Sequence, residues 1–498
     1  MRQLLSSLDR RALELIELLT FEDKEMTFSD LCQELNCTPN TLRNTFDYIR
    51  DTFSFLEISS QPYYFISYNN ASIYNVYKHY LTDDVCIQIF LILLKHKEMS
   101  MDDLTIILNL SQSSIYRKIM DFNKFAFKRY GIKISSSPIR LKGKEINIRT
   151  FYSLLFKEMG YPASDIYLDI DLNVLSAFVE DFLKCLKYTP NFKDYSELIR
   201  FLTISILRVK NGYNLDKETQ KSKYMLKIKS EINNNDNILN LLKNYRDKFD
   251  IEININNIID ILYIFLQDFY IIGKKKNRTC ICDVEKFKRA KSYIFSNLKR
   301  LAGNSEVNTN EIDKLIFEIN KSIVLKDIYF KYKYILDRSN YYFIKNTRKN
   351  LSPKLKGINN IIEDYLMILK VDYDDNDFLE YIEFLFYYFL ENFLVKFQNK
   401  CKKLRALIIG KNGPRSSCII KDNLSCFFSY SKNITFDIYD SYKLSYDEII
   451  NKNYDIIISS LDLDASIISY HYIPDQPLKK DLFELVDKIY NLMKESQT

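Results

Sequence analysis

Apolar positions in the first 150 residues recur three and four apart, then twice give way to alternation. Residues 10–20 put Leu13, Ile16 and Leu19 on one helical face, and TFSDLCQELN (Thr27 to Asn36) opens on a cap and buries Leu31 and Leu35. In CTPNTLRNTFDYIRDTF, Thr38 predicts the N-cap and Pro39 the first helical position, with Leu42, Phe46 and Ile49 as a buried stripe. Asn40, Arg43, Asn44 and Asp47 are left on the outer face. FLEIS and YYFISY, on either side of Ser-Gln-Pro, predict a short two-stranded wing. Residues 1–70 therefore read as a winged helix-turn-helix.

The plan then repeats over residues 71–148. A long apolar helix from Ile73 to Lys95 leads to SMDDLTIILNLSQSSIYRKIMDFNKFAFKRYG, where Leu104, Ile107 and Leu108 share one helix and Ser111 caps the next. Ile115, Ile119 and Phe122 again fall at i, i+4 and i+7, and Ser113, Ser114, Arg117 and Lys118 lie outside. IKISSSPIRLKGKE predicts a second wing carrying Lys133, Arg140, Lys142 and Lys144.

From about 149 to 275 and from 276 to 400 the pattern is helical, aromatic and nearly free of glycine, as in SELIRFLTISILRVKNGYNL and FLEYIEFLFYYFLENFLVKF. Two helical domains of similar length are expected, joined by the basic stretch GKKKNRT. Beyond residue 401 the period shortens. LRALIIG, NITFDIY and YDIIISS read as strands, SSCIIKDNLSCFF as the helix after the first, and LKKDLFELVDKIYNLM as a closing amphipathic helix. That is a small α/β module with a mostly parallel sheet. The expected fold is mainly α and multidomain.

Composition narrows the class. The chain has 498 residues, 47% hydrophobic and 27% charged, with only 9 glycines, as expected of several compact globular modules. The longest early apolar run, VCIQIFLILL, is about half the ~20 residues that a membrane span needs, so no membrane association is expected. The opening residues already carry Asp9, Arg10, Arg11 and Glu14, which argues against a signal core. Nine cysteines without a CxxC pair read as reduced thiols in a cytoplasmic protein, and no metal or other cofactor is expected.

Charge is uneven where it matters. Residues 1–110 carry 9 Lys/Arg against 16 Asp/Glu, whereas residues 111–149 carry 10 against 2. A helix that enters duplex DNA needs cations for phosphates and Arg, Asn or Gln for base edges. Both outer faces supply them, and the second has the charge that releases counterions. The expected DNA contacts are Thr38, Asn40, Thr41, Arg43, Asn44 and Tyr48 in the first unit. In the second they are Gln112, Ser113, Ser114, Tyr116, Arg117, Lys118, Arg140, Lys142 and Lys144. The second unit should anchor the protein and the first should add register or selectivity.

The order of these parts resembles the Mga/AtxA/RofA-like transcription regulators of Gram-positive bacteria. The resemblance rests on RRALELIELL, NCTPNTLRNTFDYI, LSQSSIYRKIMDFN, SSPIRLKGKEINIRTFY, LTISILRVKNGY and NYDIIISSLDL. It implies that the bundles are phosphotransferase-regulation domains and that the tail is like the IIB component of sugar phosphotransferase systems. It further implies a homodimer held largely through the tail, binding promoter DNA of surface and virulence genes, with RNA polymerase as a candidate partner.

Two chemistries of that family are missing from the residues. Regulation by histidine phosphorylation needs histidines in the bundles, yet the chain has only His79, His96 and His471, with none between residues 97 and 470. Positions matching the family's histidines hold Ser196, Tyr213, Glu318 and Tyr388. The IIB phosphate loop needs a cysteine thiolate after the first strand, cradled by backbone N–H groups. Laid on LIIGKNGPRSSC, that loop puts Gly410 at the cysteine, Gly413 and Arg415 at the glycines, and Ser416 and Ser417 at the helix start. Cys418 and Cys401 read as packing residues and His471 as a surface loop residue. A vestigial loop is expected, with no catalytic residue and no enzyme activity. The alternatives are an RNA-binding antiterminator, which would begin with a small β-rich domain, and a IIB-like enzyme.

Overall fold

The structure is a computed structural model. It describes residues 1–22, 25–60, 63–160, 170–185, 192–216, 236–245, 248, 255–264, 284–302, 309–326, 330, 332–350, 358–369, 371, 375–390, 403–428, 434–440, 444–464, 466–475 and 477–494. The GKKKNRT connection, Cys280, Cys282 and Cys401 lie outside the described residues.

The chain divides into two compact units, one of residues 1–349 with 353–394, the other of 395–498 with 350–352. In the larger unit, helices α1 (Ser7–Phe21), α2 (Phe28–Glu34) and α3 (Pro39–Thr52) precede the antiparallel pair β1 (Leu56–Ser59) and β2 (Phe65–Tyr68). Helices α4 (Ile73–Thr82), α5 (Val85–Lys95), α6 (Met101–Leu108) and α7 (Gln112–Tyr130) follow, with the antiparallel pair β3 (Ile132–Ser136) and β4 (Ile139–Gly143). The remainder is helical: α8 (Glu145–Glu158), α9 (Leu172–Cys185), α10 (Phe192–Lys210), α11 (Asp236–Tyr245), α12 (Ile255–Leu262), α13 (Val284–Ala302), α14 (Thr309–Leu325), α15 (Ser339–Asn350), α16 (Ile358–Leu369) and α17 (Asn376–Phe389). No helix among the described residues is long and apolar enough to cross a membrane.

The caps foreseen in the sequence form as written. Thr27 and Asp30 make a reciprocal capping box, Thr38 accepts from the Thr41 N–H with Pro39 at the first turn, and Ser111 accepts from the Ser114 N–H. Two expectations are corrected. Ile73 to Lys95 is two helices rather than one, because the Asp84 carboxylate accepts the N–H groups of Cys86 and Ile87 at 2.9 and 3.0 Å and starts a new helix. Leu35 is only half-buried, since α2 ends before it. Leu104, Ile107 and Leu108 share α6 as expected, with Leu104 buried and Ile107 55% exposed.

Buried ions join the two winged units to the helices. Glu145, at the foot of the second wing, receives Arg208 through Nε at 2.9 Å and Nη2 at 2.8 Å, and Arg149 at 3.1 Å. Arg149 continues to Asp260 at 2.6 Å. The first unit is joined differently, through Arg2, which pairs with Glu17 and donates to the Leu336 carbonyl at 2.9 Å, and through Glu22, which pairs with Lys345 and Lys349 on α15.

In the smaller unit a parallel four-stranded sheet has the order β6–β5–β7–β8, from β5 (Leu404–Ile409), β6 (Ile434–Ile438), β7 (Ile456–Ser459) and β8 (His471–Tyr472). Helices α18 (Pro414–Phe428), α19 (Tyr446–Asn451) and α20 (Lys479–Lys494) accompany it. Both faces of the sheet are covered, which is why its central strands read as unbroken apolar runs.

Candidate nucleic-acid interface

In the first winged unit, Leu42 and Ile49 are fully buried and Phe46 nearly so, turning Asn40, Arg43 and Asn44 outward. Arg43 is held rather than loose. Its Nη1 donates to Asn40 Oδ1 at 3.1 Å, and its guanidinium lies 5.7 Å from the Phe28 ring centre. The Thr38 and Thr41 hydroxyls are 2.8 Å apart at the helix start. Tyr48 points elsewhere: its hydroxyl donates to Asp9 on α1 at 2.6 Å, and burial together with that carboxylate raises its pKa. It braces α3 against α1.

In the second unit, Ile115, Ile119 and Phe122 form the buried stripe and Ser113, Tyr116, Arg117 and Lys118 are exposed. The Gln112 amide donates to Asp102 on α6 at 2.7 Å, fixing the angle at which α7 leaves the turn. Ser111 spans the hydroxyls of Ser113 and Ser114 at 3.1 and 3.0 Å.

The wing beside α7 has the most uneven charge. In its register Lys133 faces Lys142 and Ser135 faces Arg140, while Ile132, Ile134, Ile139 and Leu141 are buried beneath. Like charges directly opposite on one face destabilise a hairpin, and here three cations share the outward face. Lys133 is further held 5.4 Å from the Phe127 ring centre, and Asn123 of α7 makes two 2.8 Å hydrogen bonds to the Ile134 backbone. Lys144 is exposed at the start of α8. The wing is thus held to α7 with its three cations facing outward.

Two features of this surface lay outside the expected contact set. Met120 is 42% and Phe127 60% exposed on the flank that includes Tyr116. Their spacing from Tyr116, four and eleven residues along the helix, was the available signal.

The residues at the family's histidine positions do structural work or none that is visible. Tyr213 donates its hydroxyl to the Lys97 carbonyl at 2.6 Å, and Arg208 stacks 3.9 Å from its ring centre. Ser196 and Glu318 are half-buried, and Tyr388 is 56% exposed. His79 packs edge-on against Phe53 and Tyr80 and sits 3.6 Å from Asp83, while His96 is exposed.

The loop after β5 is filled from within. The Asp475 carboxylate accepts the Lys411 N–H at 3.2 Å, the Asn412 side-chain amide and the Ser460 hydroxyl. Ser416 Oγ takes the Asn412 N–H at 3.2 Å. These loop donors, expected to cradle a phosphate, are thus taken by an internal carboxylate. A Cβ at Gly410 would lie 2.6 Å from the Ser417 nitrogen and 2.8 Å from the Gly413 oxygen, besides striking Ser416, so no cysteine fits this backbone. Gly413 has φ +80° with open space around it, and Arg415 is exposed. Cys418 is exposed rather than packed, which corrects its reading as a packing residue. His471 is half-buried in edge strand β8 rather than in a loop, and burial with the nearby Lys488 lowers its pKa.

Two tandem helix-turn-helix units, each with a two-stranded wing, define a nucleic-acid-binding protein of the winged class. Residues 7–58 match the M protein trans-acting positive regulator (MGA) HTH domain and residues 69–156 the Mga helix-turn-helix domain. These are the DNA-binding domains of the Mga family, as the resemblance implied. A putative trans-acting regulator of Streptococcus pneumoniae serotype 4 (strain ATCC BAA-334 / TIGR4) is 20% identical over 463 residues, covering 92% of this chain and 93% of that relative. These matches support a transcription regulator.

Proposed function

We propose that the protein is a cytoplasmic activator that binds promoter DNA of surface and virulence genes as a homodimer. The second winged unit supplies most of the affinity and the first adds selectivity. The observation that carries this reading is the wing on which Lys133, Arg140 and Lys142 share one outward face, held to α7 through Asn123. Such crowding is unfavourable in the free protein and relieved against a phosphate backbone. On this reading the contacts are Thr38, Asn40, Thr41, Arg43 and Asn44 in the first unit. Those of the second are Ser113, Ser114, Tyr116, Arg117, Lys118, Arg140, Lys142 and Lys144. Tyr48 and Gln112, engaged with Asp9 and Asp102, act as braces.

The five-part layout (1–70, 71–148, 149–275, 276–400 and 401–498) belongs to the same reading, with the helical parts positioning the DNA-binding half. The smaller unit suits assembly better than phosphoryl transfer, since its loop is closed by Asp475. Phe427 and Phe483, 39% and 55% exposed and packed edge to face 5.6 Å apart, with Ile419 at 44%, offer an apolar face for a second copy. A gel shift comparing promoter duplex with stem-loop RNA across a salt series is the test. The duplex should bind more tightly, with affinity falling steeply as salt rises. Preference for the stem-loop, or salt-insensitive binding, would overturn the reading.

A further inference from the structure

The flank of α7 turned away from the wing lines a cleft of about 1360 Å³. Opposite α7 it is lined by Lys326, Tyr332, Lys333 and the 375–377 segment, and on α7 by Arg117, Lys118, Lys124 and Lys128 among others. Seven cationic side chains line it against four carboxylates. Those carboxylates are already engaged: Asp377 pairs with Arg129 at 2.8 Å, Asp375 with Lys333 at 3.3 Å and Asp121 with Lys124 at 3.3 Å, while Asp84 caps α5. Arg117, Lys118 and Lys128 are exposed on one wall, and Lys326, half-buried and 5.0 Å from the Phe378 ring centre, lies on the other.

Cations converging from two walls of a recess interact with an anion through less water than cations on an open face do, which favours compact, multiply charged ligands. A cleft of this size suits a small molecule. Phe125, half-buried, also lines it and can meet an apolar or planar group.

We propose that this cleft binds a small polyphosphate-bearing ligand of nucleotide size, and that its occupancy weakens duplex binding. The second clause rests on the DNA reading above, because Arg117 and Lys118 border the cleft and are also assigned to phosphates. Coupling of this kind is reciprocal, so duplex should weaken the small ligand to the same degree.

The test is calorimetric titration of the full chain with tripolyphosphate, adenosine triphosphate and inorganic phosphate at constant ionic strength, for the wild type and for Lys128→Glu with Lys326→Glu. Tripolyphosphate and the triphosphate should bind saturably, one per chain, with inorganic phosphate far weaker. The double variant should lose about tenfold or more in that affinity while duplex affinity stays level, and an unchanged thermal melt would show that it folds. Absence of saturable binding, or binding unaffected by the variant, overturns the site. Loss of duplex affinity in the variant would instead assign the cleft to the DNA path, which also overturns it. Saturable binding with no effect on duplex affinity overturns the coupling alone. Wild-type protein that binds tripolyphosphate but no duplex would sink the DNA reading and leave the site standing.

Discussion

The two winged units are alike in plan and opposite in surface. Each has a capped recognition helix with an i, i+4, i+7 core stripe and a two-stranded wing. The first wing exposes Phe65 and Glu57, while the second exposes Lys133, Arg140 and Lys142. Below the surface they converge again, since each is joined to the helices by ion pairs, Glu22–Lys345 in the first and Glu145–Arg208 in the second. A shared backbone plan therefore says little about which unit grips a polyanion. The side chains on one wing face decide it, because affinity for duplex scales with the number of phosphates neutralised.

The largest effect should come from the buried joint of the second unit. Arg208→Met leaves Glu145 without its bidentate partner, and a loss of about 3–5 kcal/mol in urea denaturation is expected. If the variant were as stable as wild type, the joint would be a bystander to packing. Next, replacing Lys133, Arg140 and Lys142 by alanine should reduce the slope of log affinity against log salt by about 3 and leave the fold intact, because the facing like charges are relieved. Fluorescence anisotropy with labelled duplex reads the slope.

Arg43→Ala in the first unit should have a smaller and sequence-dependent effect, roughly tenfold on a cognate duplex and little on a random one. Equal losses on both duplexes would show that the units share one role. Smallest of all, Tyr48→Phe should cost about 1 kcal/mol of stability by removing the bond to Asp9, with duplex affinity unchanged. A clear drop in affinity would return Tyr48 to the contact set.

Much of this was legible in the linear pattern because caps, stripes and strand alternation are local. Thr38, Ser111 and the two wings needed only neighbours within a few residues, and the local charge excess could be counted along the chain. Where reading failed, the cause was a partner distant in sequence or a residue at a helix end. Asp84 splits an apolar run that periodicity alone would continue, and Tyr48 looks like a groove residue until Asp9 is placed beside it. Gln112 is likewise claimed by Asp102.

The loop after β5 divides the two kinds of information most sharply. Sequence alone determined that no cysteine stands at Gly410 and that no histidine lies between residues 97 and 470, so those phosphate chemistries are absent by composition. Only the tertiary structure decided what took the place of the phosphate. Asp475 is brought across from 64 positions later in the chain to accept the Lys411 N–H. The same holds for the cleft beside α7, whose walls come from residues some 200 positions apart. Charge at a position is written in the chain, but its convergence on a common point depends on packing, which no local pattern encodes.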